Sequence, residues 1–397
     1  MRLKFFVPLF LCGIFILIYS CKRPGGSQEG VRRAFYQWGS NTIDKRDDSL
    51  MQALGTKVLY VRFFDVDYDP YRGIPYPINT SLNYGYESFT LNDSIDMVPT
   101  VFITNETFKN LQDSLVDDLA LSVYKKLLHS MNMLADASRR NYDDYYWTTT
   151  NPYMMRSKDM RELHHRDSTR KSVYNRITEL QFDCDWTEST RDKYFSFLTH
   201  IKKHFSDKLI SSTVRLYAYK YPDKAGVPPV EKGMLMCYNA GDLKNINSGN
   251  TIFNKKEVLS YLDVDKPYPL PLDYALPIFE WCAVYRADKL IHLAPRESFY
   301  FESYGQSSYE LQNDPNAETP IYKVIVDELN DYTTDGFILK KGDLVKVESP
   351  SLTDVAAVAG KLGSKNTNPK PVVSLFHFQF KKVLKNEKQI KKIYDSF

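Results

Sequence analysis

Apolar and polar positions alternate most sharply over residues 176–185, RITELQFDCD. Read at period two, Glu179, Gln181, Asp183 and Asp185 share one face, and Leu180, Phe182, Cys184 and Trp186 share the other. Seven further runs read as strands: 34–38, 57–65, 97–103, 209–218, 233–239, 274–283 and 372–380. Helical spacing lies between several of them. Residues 113–135 place Leu115, Leu119, Val123, Leu127 and Leu128 on one stripe, and 189–205 do so with Tyr194, Phe197, Leu198, Ile201 and Phe205. Shorter helices are predicted at 255–262, 353–362 and 386–395. Eight strands alternating with helices predict one elaborated α/β chain of the (β/α)8 kind, a TIM-type barrel with inserted loops and a hairpin. A two-domain α/β arrangement is the alternative.

Three segments depart from a minimal barrel. Residues 66–96 are rich in Tyr, Pro, Gly and Asn and show no helix. Residues 138–175 form a long insertion between a helix and a strand, which places it on the face away from a barrel's chemistry. Residues 336–347, GFILKKGDLVKV, read as an inserted hairpin turning at Lys341-Gly342-Asp343.

In a barrel, strand residues alternate between lumen and helix layer, and sites gather at the C-terminal ends of the strands. Leu180, Phe182, Cys184 and Trp186 suit the helix layer, so the four polar residues between them point inward, with Asp183 and Asp185 nearest the mouth. Buried carboxylates need partners. Arg62 and Arg215 offer them, the latter on the Thr213/Arg215/Tyr217 face of its strand. A lattice of internal ion pairs with no reaction explains the same residues. Asp65, at the end of the second strand, shares a face with Asp67, and an exposed loop role competes with ligand binding there. Glu280 and Trp281 bring a carboxylate and a stacking ring to the seventh strand. Among the histidines, His200 and His204 fall at the polar edge of their helix. His377 is a site candidate if it faces the lumen, and otherwise a hydrogen-bonded core residue.

Composition changes this picture little. Among 397 residues, 52 Lys and Arg stand against 49 Asp and Glu, so charge gives no argument for nucleic acid. With 29 Tyr and 23 Phe the chain suits sugar-stacking clefts and any well-packed fold alike. No phosphate loop, dinucleotide fingerprint, nucleophile elbow or zinc spacing is present, so neither a cofactor nor a metal is expected.

At the N-terminus, Arg2 and Lys4 precede an apolar run from Phe5 to Ile18, the length of a signal-peptide core and short for a membrane span. Ile18-Tyr19-Ser20-Cys21 resembles the bacterial lipoprotein processing box. That resemblance implies cleavage before Cys21 and lipid attachment to it, an uncleaved anchor being the alternative. Residues 1–20 would then be a signal peptide, 21–30 a flexible tether and 31–397 the barrel. Lys22 follows the cysteine, so retention at the inner membrane is not signalled. The expected location is the cell envelope, with the outer membrane favoured. Three cysteines remain in the body, Cys184, Cys237 and Cys282, each in an apolar run and odd in number, which reads as small buried hydrophobes.

Asp183-Cys184-Asp185-Trp186 resembles the end of the D-x-x-D-x-D-W-E signature of family 18 glycoside hydrolases, the chitinase-like barrels. Ser212-Thr213-Val214 resembles that family's fifth strand, and Met236-Cys237-Tyr238-Asn239 its M-x-Y-D sixth strand. The whole chain resembles, more broadly, bacterial lipoproteins carrying such a barrel. The family resemblance implies that Asp183 and Asp185 orient or stabilise substrate, while Tyr238 and Asn239 position it. The signature's general acid falls at Thr187, which cannot protonate a leaving oxygen. Glu188, one residue later, and Glu280 are the substitute acids. Asp65, Arg215, Tyr217 and Trp281 complete the candidate binding set. Three functions remain open: hydrolysis of a glycosidic bond, binding of a glycan or other envelope ligand without turnover, and a purely structural role.

Overall fold

The computed structural model describes residues 30–39, 43–79, 94–147, 168–239, 241–299, 301, 307–314, 317–329 and 336–397. The segment expected to be a signal peptide, Cys21 and most of the expected tether lie outside them, as does much of the 138–175 insertion. The chain opens with β1 (Arg32–Gln37) and the long β2 (Thr56–Asp69), whose outer half pairs antiparallel with β3 (Ile74–Asn79). The segment 66–96 thus begins as an antiparallel arm. The barrel continues with β4 (Asp96–Ile103), β5 (Glu179–Asp183), β6 (Leu209–Arg215), β7 (Lys232–Met236) and β8 (Leu272–Pro277), and ends with β16 (Val372–Phe376). β1 pairs in parallel with both β2 and β16, which closes the eight parallel strands on themselves. All eight expected strands are present.

The alternation read in 176–185 is physical. On the helix-layer side, Phe182 meets Phe197 edge-on at 5.5 Å, and Trp186 stacks on Tyr194 with centroids 5.5 Å apart. Both partners lie on the helix Arg191–His204, whose Tyr194, Phe197, Leu198 and Ile201 recur at three- and four-residue spacing and are all buried. Tyr194 donates its hydroxyl to the Phe182 carbonyl at 3.1 Å, so the ring layer also satisfies its polar atom. On the lumen side, Tyr36 donates to Gln181 Oε1 at 2.6 Å, and Ser211 donates to Glu179 at 2.6 Å.

Deeper in the lumen one cation serves two carboxylates. Lys232 Nζ lies 2.8 Å from Glu179 Oε2 and 2.6 Å from Asp273 Oδ2. Asp273 also accepts from the Val372 backbone at 2.9 Å. Burial pulls the lysine down, but Asp273 and then Glu179 outweigh it, and the ammonium is held above its ordinary range. Burial, with Asp273 adding to it, pushes Glu179 up.

Outside the barrel the structure corrects several expectations. The 274–283 run is two strands, β8 and β9 (Trp281–Arg286), separated at Ile278, Phe279 and Glu280. The inserted hairpin is part of something larger, lying between β8 and the helix Leu352–Lys365. There β9 joins β10 (Lys289–Pro295), β11 (Tyr309–Leu311), β12 (Ile321–Val324) and β15 (Leu344–Glu348) in a five-stranded antiparallel sheet, ordered β10-β9-β15-β12-β11. A separate two-stranded ribbon pairs β13 (Glu328–Leu329) with β14 (Leu339–Lys340). The five-stranded sheet has its own small core around Cys282, Val284, Phe299, Phe301 and Val345. Cys184, Cys237 and Cys282 are buried free thiols. Among the described residues no helix is long and apolar enough to cross a membrane.

Candidate functional site

The C-terminal ends of all eight barrel strands meet at one pocket of about 350 Å³. β1 contributes Trp38, β2 Arg62, β4 Phe102, β5 Asp183 and Asp185, and β6 Arg215. β7 brings Met236, Tyr238 and Asn239, β8 is followed by Phe279 and Glu280, and β16 ends at Phe376 and His377. The antiparallel sheet closes one side with Trp281, Leu293, Ala294 and Pro295. Convergence is built into a parallel barrel, because each strand delivers its final inward side chain to the same rim.

Aromatic rings dominate the wall. Phe376 contacts Trp38 at 5.3 Å, Tyr238 at 5.5 Å and Phe279 at 5.4 Å between centroids. Phe279 in turn meets Trp281 edge-on at 5.4 Å. Trp281 is fixed from behind: its Nε1 donates to Glu348 Oε2 at 2.7 Å. Glu348 is fully buried and paired at 2.8 Å with Lys346, itself fully buried. Lys346 also donates to the carbonyls of Ser248 and Gly249, so this ion pair ties the loop after β7 to the sheet that carries Trp281.

Asp183 and Asp185 occupy the polar floor. Thr213 donates to Asp183 Oδ1 at 2.7 Å, and Arg215 Nε lies 3.5 Å from Asp185 Oδ1. Burial first, and the neighbouring Asp185 second, push Asp183 from its ordinary 3.8 up to about 7. Burial and the same two aspartates hold the Tyr238 hydroxyl well above its usual range. Asn239 adopts φ 55°, in the left-handed region that asparagine tolerates better than most residues. Among the described residues no group of three or more His, Cys, Asp or Glu is arranged to hold a metal ion.

The remaining candidates sort by position. Asp65 does not line the pocket; it is buried behind it and binds both Arg62 Nε, at 2.7 Å, and Arg62 Nη2. Arg62 is thereby held with its guanidinium 5.0 Å from the Trp38 ring centroid. Glu280 lines the pocket with one oxygen 2.9 Å from Lys382 Nζ. Tyr217 was expected on the strand face of Thr213 and Arg215, but β6 ends at Arg215, and Tyr217 lies in the short helix Leu216–Lys220. There its hydroxyl donates to Glu188 at 3.1 Å, and both line a neighbouring cleft of about 640 Å³ with Thr187 and Tyr261. The two cavities share Arg215, Tyr238 and Asn239. Thr187 is exposed, its hydroxyl engaged with Ser189 and Thr190 in the turn that starts the helix Arg191–His204. Residues that sequence reasoning missed include Trp38, Phe102, Phe279 and Phe376. Their signal was legible as an aromatic at or just beyond a strand end.

Solved structures similar to this chain include a chitinase from Chromobacterium violaceum, at 10% identity over 91% of this chain and 99% of that one, with a TM-score of 0.48. The Bacillus cereus spore cortex-lytic enzyme SleL is 12% identical over 94% and 75%, with a TM-score of 0.46. A family 18 N-acetylglucosaminidase from Paenibacillus barengoltzii is 7% identical over 93% and 100%, with a TM-score of 0.40. No family model matches the chain, and no curated protein matches it.

Proposed function

We propose that this chain is a saccharide-binding barrel that holds its ligand at the strand-end pocket without hydrolysing it. One observation carries the reading. The pocket combines a wall of aromatic rings with a floor of carboxylates, an arginine and an amide, while Thr187, at the place of the family's general acid, lies outside it. Rings stack on the apolar faces of pyranosides, and polar groups between them take the hydroxyls. Hydrolysis needs a proton donor opposite a second carboxylate. The substitutes are poorly placed for that: Glu188 faces the neighbouring cleft and Glu280 faces a lysine.

Two of the chain's four tryptophans, Trp38 and Trp281, line the pocket, so ligand entry is expected to change intrinsic fluorescence. The test is titration with N-acetylglucosamine oligomers and other plant, fungal and bacterial oligosaccharides, alongside release assays on fluorogenic glycosides. Saturable binding with no turnover is expected, and Trp281→Ala should weaken it roughly 2- to 12-fold through loss of one ring's stacking. A silent panel sinks the saccharide reading. Turnover revives hydrolysis, the second reading, which one observation favours: a carboxyl at about 7 is protonated often enough at neutral pH to donate. In that case the rate should fall as pH rises through 7 and vanish in Asp183→Asn.

The envelope anchor belongs to the same proposal and is supported by Arg2, Lys4, the 5–18 apolar run and Cys21. In a bacterial host, Cys21→Ser is expected to move the chain from the membrane fraction to the soluble fraction or to leave it with its leader uncleaved. Unchanged membrane retention with normal processing would count against lipidation at Cys21.

A further inference from the structure

His377 follows the last barrel strand, and its ring lines the pocket. Its Nδ1 is buried with no well-formed hydrogen bond among the described residues, the Phe378 backbone being the one hydrogen-bonding group that acts on the ring. Buried side-chain nitrogens in folded proteins are nearly always paired, so one without a well-formed bond at a pocket wall calls for an explanation. The neighbouring Phe376 ring sits edge-on at 5.4 Å between centroids. The charged groups that act on the imidazole are Lys382 and Arg62. Each already has its own anion: Glu280 lies 2.9 Å from Lys382, and Asp65 holds Arg62. Burial chiefly, with the two cations adding and the Phe378 backbone opposing, pushes the imidazole down to about 4. At neutral pH the ring therefore carries one N–H donor and one lone pair. Histidine χ2 is broad and roughly two-fold, and a half-turn about it exchanges the two edges of the ring, which is the rotation that would bring Nδ1 to the pocket side.

We propose that His377 is a ligand-binding residue of the pocket, its imidazole hydrogen-bonding an uncharged hydroxyl or amide group of the bound saccharide. The inference rests on the saccharide reading and deepens it by naming the kind of group that is read. A cationic ligand group would meet Arg62 and Lys382. An anionic one would find both of those cations already neutralised by Asp65 and Glu280. An uncharged hydroxyl or amide fits without displacing either pair.

The test is His377→Phe, which keeps a planar ring and removes both nitrogens. Without ligand it is expected to melt at or above the wild-type temperature, because it deletes a buried polar atom that makes no well-formed hydrogen bond. Titrated with N,N′,N″-triacetylchitotriose by tryptophan fluorescence, its affinity is expected to fall about 10- to 100-fold, the cost of one lost hydrogen bond with a ligand group left unpaired. His377→Gln, which restores an amide at similar reach, should recover affinity to within about threefold of wild type, and it carries the test if the phenylalanine variant does not fold. A lower melting temperature with unchanged affinity would mean a structural histidine and overturn the inference. Equal binding by wild type and both variants would overturn it too, with the saccharide reading left standing. If wild type binds neither this trisaccharide nor any member of the panel, the saccharide reading fails and takes this inference with it.

Discussion

Lys232→Met is expected to destabilise the barrel by about 3–5 kcal/mol, a large share of the roughly 5–15 kcal/mol that holds a folded domain together. Lys232 faces Glu179 and Asp273 at 2.8 and 2.6 Å inside the lumen. Methionine fills the same space, so the loss is one of charge and not of volume. It strands two carboxylates of which Asp273 is 1% exposed and Glu179 is 8% exposed. Breaking one partner of a buried ionic group costs more than the group contributed, because the remaining charge is left unsolvated. Adding Glu179→Gln and Asp273→Asn to the variant should therefore restore most of the stability. Their amide oxygens still accept from Ser211 and from the Val372 backbone, and no uncompensated charge remains. Urea denaturation of the single and triple variants measures both values. A single variant within about 1 kcal/mol of wild type would show that Glu179 and Asp273 are both neutral in the folded lumen once the lysine is gone, and would overturn this account.

Asp183→Asn is expected to become more stable than wild type as pH rises. The folded carboxyl sits at about 7 against an ordinary 3.8, so between roughly pH 4 and 7 the folded chain binds a proton that the unfolded chain has released. Stability from this group is fully present below about pH 4 and is lost as pH climbs through 7. Each pH unit between the folded and unfolded values corresponds to about 1.4 kcal/mol, so the full difference is about 4 kcal/mol. Asp183 opens onto the pocket, and solvent there screens it, so about half of that value is the expected change. Asparagine keeps an acceptor for Thr213 and does not titrate. The stability of the variant minus that of wild type should thus be near zero at pH 4.5 and rise by about 2 kcal/mol by pH 8. Titrating groups that do not feel the Asp183 charge cancel in that difference. A flat difference across the range would mean that Asp183 is already ionised at the floor of the pocket. Asp185→Asn should shrink the effect, since Asp185 is the second cause of the raised value.

Much of this architecture was legible along the chain because its causes are local. Glu179 to Trp186 alternate since a strand has period two, and Tyr194 to Ile201 recur since a helix has period 3.6. Short local runs of that kind located all eight barrel strands, and the turn chemistry of Asn254 and Ser351 capped helices near the expected places. Strand ends were less visible. The apolar run through Leu216 and Ala218 looked like a continuing strand, yet the chain turns helical at Leu216 and carries Tyr217 into the neighbouring cleft. The antiparallel sheet was read only as a hairpin, because the strand pairings that join residues 281 to 348 span long separations and leave no periodic trace.

The site divides along the same line. The sequence by itself determined the inward face of β5, the absence of an acid at Thr187, and the candidacy of Asp183, Asp185, Tyr238 and Asn239. The inward face, with Asp183 and Asp185 on it, follows from side-chain order within one strand; the places of Thr187, Tyr238 and Asn239 are what the resemblance to chitinase-like motifs implies. Only the tertiary structure decided which charges meet: Arg62 turns to Asp65, Glu280 to Lys382, and Arg215 to Asp185. It also decided that Asp183 is pushed up to about 7, that Trp281 is braced by Glu348, and that the Nδ1 of His377 lies beside the pocket without a well-formed hydrogen bond. The physical reason is that periodicity follows from bonded neighbours, whereas burial, field and hydrogen bonding are set by how side chains from different elements of the fold are turned toward one another.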